Sequence, residues 1–141
     1  MKKITSICWM LLLLLSLSSF QHTQSQTLSY SKTQIERFVR EVFANHADEL
    51  VLQSPTSRLQ LIQDFLSRVQ ITNQPGYTGK KFTLLSTIAL QNKYNPNLSR
   101  DAFYDPVTFN PLKYNFPMAS RSKEIFRFDH TDYLITIEPI K

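Results

Sequence analysis

Between Tyr94 and Pro117 the chain repeats an aromatic residue, an Asn or Asp, and a proline. Tyr94-Asn95-Pro96, Tyr104-Asp105-Pro106 and Phe109-Asn110-Pro111 share the pattern, and Tyr114-Asn115-Phe116-Pro117 is a looser version. Each proline fixes its own φ, lacks an N–H and pushes the residue before it out of the α region, while an Asx side chain bonds its own backbone in a turn. A long helix is therefore excluded here. The interleaved rings carry too much apolar area to remain in water, at roughly 1.5–3 kcal/mol per buried large side chain. The expectation is an ordered, turning segment whose rings are pinned onto a domain, with the tyrosine phenols at the rim meeting water or backbone.

The N-terminus reads as an export signal. Lys2 and Lys3 form a positive start, Ile4 to Leu17 is dominated by apolar residues, and a Ser/Gln/Thr-rich tail follows. That apolar core is shorter than the roughly 20 residues a membrane span needs, so cleavage is expected rather than anchoring. Thr23 and Ser25 place small residues before a cut after Ser25, dividing the chain into a signal peptide, residues 1–25, and a single domain, residues 26–141. The only cysteine is Cys8, ahead of the leucine run, which disfavours a lipid anchor and leaves the mature chain without a disulfide, thiol nucleophile or cysteine metal site.

Removing Lys2 and Lys3 takes 16 basic residues against 11 acidic to 14 against 11, so net charge falls from +5 to +3. The basic residues are scattered, and Lys80-Lys81 is the only doublet in the mature chain. A nucleic-acid stripe or polybasic membrane patch is not expected.

Along the mature chain, Ser31 and Gln34 have capping-box spacing ahead of an apolar stripe of Ile35, Phe38, Val39, Val42 and Phe43, continued by Leu50. Glu36 with Arg40 and Arg37 with Glu41 place opposite charges four apart on the outer face. His46 falls on the stripe and is expected at its rim rather than as a ligand or base. Ser54-Pro55-Thr56-Ser57 ends this helix and starts a second, with Leu59, Ile62, Leu66 and Val69 on one face and Leu61 and Phe65 widening it. Val69 to Thr72 suits either the end of that helix or a short strand.

Pro75-Gly76 fits the centre of a type II turn. Alternation from Phe82 to Leu90 favours a strand, although Leu84, Leu85 and Ile88 also fit a helical face. Glu124 to Phe128 and Tyr133 to Glu138 flank Asp129-His130-Thr131-Asp132 as a β-hairpin. The fold expected is α+β: an N-terminal two-helix hairpin on a small antiparallel sheet, with the Pro/Asx/aromatic segment before a C-terminal β-hairpin.

Chemistry is weakly signalled. There is no Gly-x-Ser-x-Gly, no His-Glu-x-x-His and no EF-hand pattern, and two glycines cannot build a phosphate-cradling loop. Asp129, His130 and Asp132 could attract a metal, but they also suit a polar hairpin tip, which is the preferred reading. Asp101 and Asp105, near Tyr104, are the acidic pair for glycosidase-like chemistry, though each is more simply a turn or cap residue. No catalytic, cofactor-binding or metal residue is assigned. Tyr94, Tyr104, Asp101, Asp105, Phe109 and Tyr114 form the candidate binding surface. The expected function is an exported noncatalytic binding or structural module, periplasmic, outer-surface or secreted, whose partner is an envelope or extracellular protein or glycan. The alternative is a small glycan-acting enzyme using an acidic pair in the aromatic segment.

Overall fold

The computed structural model describes residues 25–27, 29–76 and 81–141. Apart from Ser25, the expected signal peptide lies outside the described residues, as do Tyr77 to Lys80 beyond the turn. The fold is α+β, with elements in the order β1 (Ser25–Thr27), α1 (Lys32–Phe43), α2 (Arg58–Ser67), β2 (Val69–Asn73), β3 (Thr83–Leu84), β4 (Glu124–Arg127) and β5 (Tyr133–Ile137).

Helix α1 starts where its capping box predicts. The Gln34 N–H donates to Ser31 Oγ at 3.2 Å, and the Ser31 N–H donates to Gln34 Oε1 at 3.0 Å. Ile35, Phe38, Val39 and Val42 are its buried face. The helix stops earlier than the stripe suggested. Ala44 takes φ 47° and ψ −126°, and a 3₁₀ turn (Ala44–His46) and a π turn (Asp48–Leu52) carry the chain onward. The Arg40 guanidinium forks onto both Asp48 oxygens at 2.9 and 3.0 Å, fastening this irregular link to the helix. Helix α2 buries Ile62, Phe65 and Leu66, but Leu61 is 64% exposed, so the face is narrower than expected.

Residues Val69–Asn73 resolve as a strand. The five-stranded sheet has the order β1-β2-β5-β4-β3. Pairings through β4 are antiparallel, including the expected β4–β5 hairpin, while β3 joins β4 in parallel and makes the sheet mixed. Register places Ile135 between Ile71 and Phe126, with Val69 opposite Ile137. All five are buried in the same core cluster as the helix faces. Period-two alternation thus turns one sheet face inward.

The strand expected over residues 82–90 is only two residues long, followed by a 3₁₀ turn (Leu85–Thr87). Side chains from elsewhere take the backbone groups that would extend the ladder. The Ser86 N–H donates to Asp129 Oδ2 at 3.0 Å, and Arg100 donates to the carbonyls of Leu85 at 3.1 Å and Ile88 at 2.7 Å.

A non-glycine residue at the Ala44 φ stores about 1–3 kcal/mol, while glycine costs about 0.4–1 kcal/mol through greater unfolded-state freedom. Ala44→Gly should therefore stabilise the protein by about 1 kcal/mol in urea unfolding. A lower urea midpoint would show that no strain is relieved there.

Candidate functional site

The aromatic segment is ordered by turns and rings, as its composition implies. Asn110 is fully buried and caps the 3₁₀ turn Pro111–Lys113, its Oδ1 accepting the Leu112 N–H at 2.9 Å. Its Nδ2 donates across to helix α1, to the Phe38 carbonyl at 3.1 Å and Glu41 Oε2 at 2.9 Å. Phe109, Tyr114 and Phe116 are buried among the core rings, with Phe116 4.8 Å from Phe126 and Phe109 4.8 Å from Phe128, centroid to centroid. Tyr94 is half-buried, stacked on Phe43 at 5.4 Å and flanked by exposed His46. Tyr104 is also half-buried, against Phe109, Phe128 and Tyr133.

The two nominated acids part company. Asp105 closes its own turn, its Oδ1 accepting the Val107 N–H at 2.8 Å and its carbonyl accepting the Phe109 N–H at 2.9 Å. The Val107 bond, with help from Thr108, holds the Asp105 carboxyl below the ordinary carboxylate value. Asp101 accepts the Tyr114 O–H on Oδ2 and the Lys113 ammonium on Oδ1, each at 2.8 Å. The Asp101 N–H also donates to the Tyr114 phenol oxygen at 3.1 Å. The Tyr114 phenol therefore meets backbone, as expected, and a carboxylate as well.

A cleft of about 210 Å³ opens over Asp101, lined also by Ser86, Arg100, Phe103, Phe128 and Asp129. Two acids considered separately in the sequence, Asp101 and Asp129, thus share one cavity. Phe103, one of its lining residues, is 74% exposed. Asp129 is engaged by the Ser86 N–H and hydroxyl. Burial pushes the Asp129 carboxyl up, but the Ser86 bonds outweigh it, so the group sits below its ordinary value. Of the other hairpin-tip residues, His130 is exposed with φ 57°, and Asp132 pairs with Arg127 at 3.8 Å. Among the described residues no group of three His, Cys, Asp or Glu side chains converges to hold a metal. None of the described helices is long and apolar enough to cross a membrane.

Of the six nominated surface residues, Asp101 and Tyr114 line the cleft, Tyr114 from within the core, while Tyr94, Tyr104, Asp105 and the buried Phe109 do not. The sequence reading missed three residues that organise the site. Lys113 has a side chain only 5% exposed, 2.8 Å from Asp101 Oδ1 and 3.5 Å from Glu41 Oε1. A lone charge inside Pro111-Leu112-Lys113-Tyr114 was the available signal. Glu41, expected to pair with Arg37, instead meets Lys113 and Asn110, while Arg37 donates to the Val107 carbonyl. Asn110 was legible as a turn residue but not as a bridge to α1.

No protein-family model, curated protein or solved structure matches the chain.

Two titrations follow from the site. Asp129 is held low in the folded state, so its contribution to stability is present above the unfolded carboxylate value and lost as pH falls through the folded one. Ser86→Ala should therefore move acid unfolding to higher pH. Tyr104 is pushed up from 10.0 to about 12, first by burial and then by the charges of Tyr133 and Asp105. Its contribution is complete below the unfolded value and disappears as pH rises through about 12. Tyr104→Phe should move alkaline unfolding to higher pH and leave the acid limb unchanged, both read by circular dichroism.

Proposed function

We propose that the protein is an exported, noncatalytic binding module of the cell envelope or extracellular space, engaging its partner through the cleft that Phe103 lines. The observation that carries this reading is that both cleft carboxylates are already held by protein donors, while a large aromatic ring beside them remains exposed. A glycan hydrolase needs one carboxyl kept protonated as general acid and a second free across the bond. Asp105 and Asp129 are shifted the opposite way, towards ionisation, and both Asp101 oxygens are occupied. An exposed ring lining a polar cleft suits stacking on a sugar face or packing against a peptide side chain. Export is supported by Lys2, Lys3 and the leucine-rich run that follows them.

The second reading, a small glycan-acting enzyme, draws on Asp101 and Asp129 lining one cavity. One experiment separates the two. Purified protein is mixed with insoluble cell-envelope material, and both cosedimentation and release of reducing ends are measured. The binding module cosediments without releasing reducing ends, and Phe103→Ala weakens binding about tenfold, the loss of about 1.4 kcal/mol, with the fold intact. Reducing-end release that disappears in Asp101→Asn would replace the first reading with the second.

A further inference from the structure

The buried polar group under the cleft has the composition and arrangement of a self-cross-linking site. Lys113 Nζ lies 2.8 Å from Asp101 Oδ1 and 3.5 Å from Glu41 Oε1, with the lysine side chain 5% exposed and that of Asp101 17% exposed. The Tyr114 O–H holds Asp101 Oδ2 at 2.8 Å, and Asn110 Nδ2 holds Glu41 Oε2 at 2.9 Å, so both carboxylates are oriented by fixed donors. An amine and the carboxyl that would acylate it are thereby brought together largely out of solvent, with a second carboxylate, Glu41, 39% exposed beside them to move protons. We propose that Lys113 and Asp101 join in an intramolecular isopeptide bond once the chain has folded, with Glu41 as the proton shuttle.

The step balances without a co-reactant. The first step passes a proton from the Lys113 ammonium along its existing hydrogen bond to Asp101 Oδ1, 2.8 Å away. The freed Nζ lone pair attacks Asp101 Cγ, one bond beyond Oδ1 and close to the near-attack range of about 3–3.5 Å. Negative charge developing on Oδ2 is met by the Tyr114 O–H, already aimed at that atom. Glu41 takes a proton from the attacking nitrogen and returns it to the departing oxygen. The Cγ–Oδ1 bond breaks, an amide forms and one water leaves, with nothing oxidised or reduced. Residues 26–141 contain no cysteine, so this bond would be a covalent tie independent of disulfide chemistry, closing the segment that carries Tyr104 and Phe109. It does not depend on the binding function proposed above.

The test is the intact mass of the folded full chain, followed by protease digestion and fragment sequencing. The expected result is a mass one water below the sequence mass, with a branched peptide joining residues 101 and 113. Glu41→Gln, with its fold checked by circular dichroism, should retain the full mass. A folded wild-type chain at full mass would overturn the proposal. So would a water loss that maps to any other pair of residues or survives in Lys113→Met. The wild-type digest decides the matter even if Lys113→Met does not fold.

Discussion

Asn110 joins helix α1 to the aromatic segment, and the placing of residues 94–117 depends on that joint. The segment has little ladder of its own beyond a single bridge between Leu90 and Tyr114. Its backbone polar groups need partners from elsewhere, because a buried unpaired group costs roughly 1–3 kcal/mol. One amide side chain caps the local turn through Leu112 and reaches the Phe38 carbonyl and Glu41. An apolar residue of similar size would fill the space and satisfy none of these groups. The rings then set the position finely. Phe65, Phe116, Tyr114 and Phe109 follow one another at centroid distances of 6.5, 5.6 and 5.9 Å, each pair adding about 0.5–1.5 kcal/mol beyond its burial.

Burial of Lys113 follows from this packing. Its neighbours Leu112 and Tyr114 are buried in the core, and the 3₁₀ turn between Asn110 and Tyr114 carries Lys113 in with them. An unpaired buried ammonium would be strongly destabilising, so Asp101 and Glu41 are required as its partners. Such a pair gains little net stability over a well-packed apolar substitute. Arg68 performs the comparable structural task at the other end of the wrap, donating to the carbonyls of Glu138 at 2.8 Å and Met118 at 2.6 Å.

The cleft lies where four pieces of chain meet: the 3₁₀ turn after β3, the residues around Asp101, Tyr114, and the tip of the β4–β5 hairpin. Its charged groups double as fasteners between these pieces, Arg100 to the carbonyls after β3 and Asp129 to Ser86. A fastener cannot move freely during a reaction without loosening the wall it holds. Phe103 is different, since its ring touches the cleft yet stays largely in solvent. That contrast between engaged charges and an open ring is why the site is read as a place to bind.

Several features were legible from residue order because their causes are local. The capping box at Ser31, the amphipathic stripe of α1, the turn-forming Asx-Pro pairs and the alternation of β4 and β5 each depend on contacts a few residues apart. So does the asparagine's role as a cap. Features set by distant partners were not legible. Alternation over residues 82–90 suited a strand, but Asp129 and Arg100 claim the backbone groups a ladder would have used. Arg37 and Glu41 have ideal helical spacing, yet Glu41 turns to Lys113 because a buried ammonium requires a carboxylate more than a solvated guanidinium does. Residue order was enough for the α+β class, the turning aromatic segment and the absence of cysteine from residues 26–141. That Asp101, Lys113 and Glu41 meet, and that Asp129 shares a cleft with Asp101, came from the packed fold. Those encounters join residues far apart in the chain, and they are set by how rings and sheet pack rather than by any local propensity.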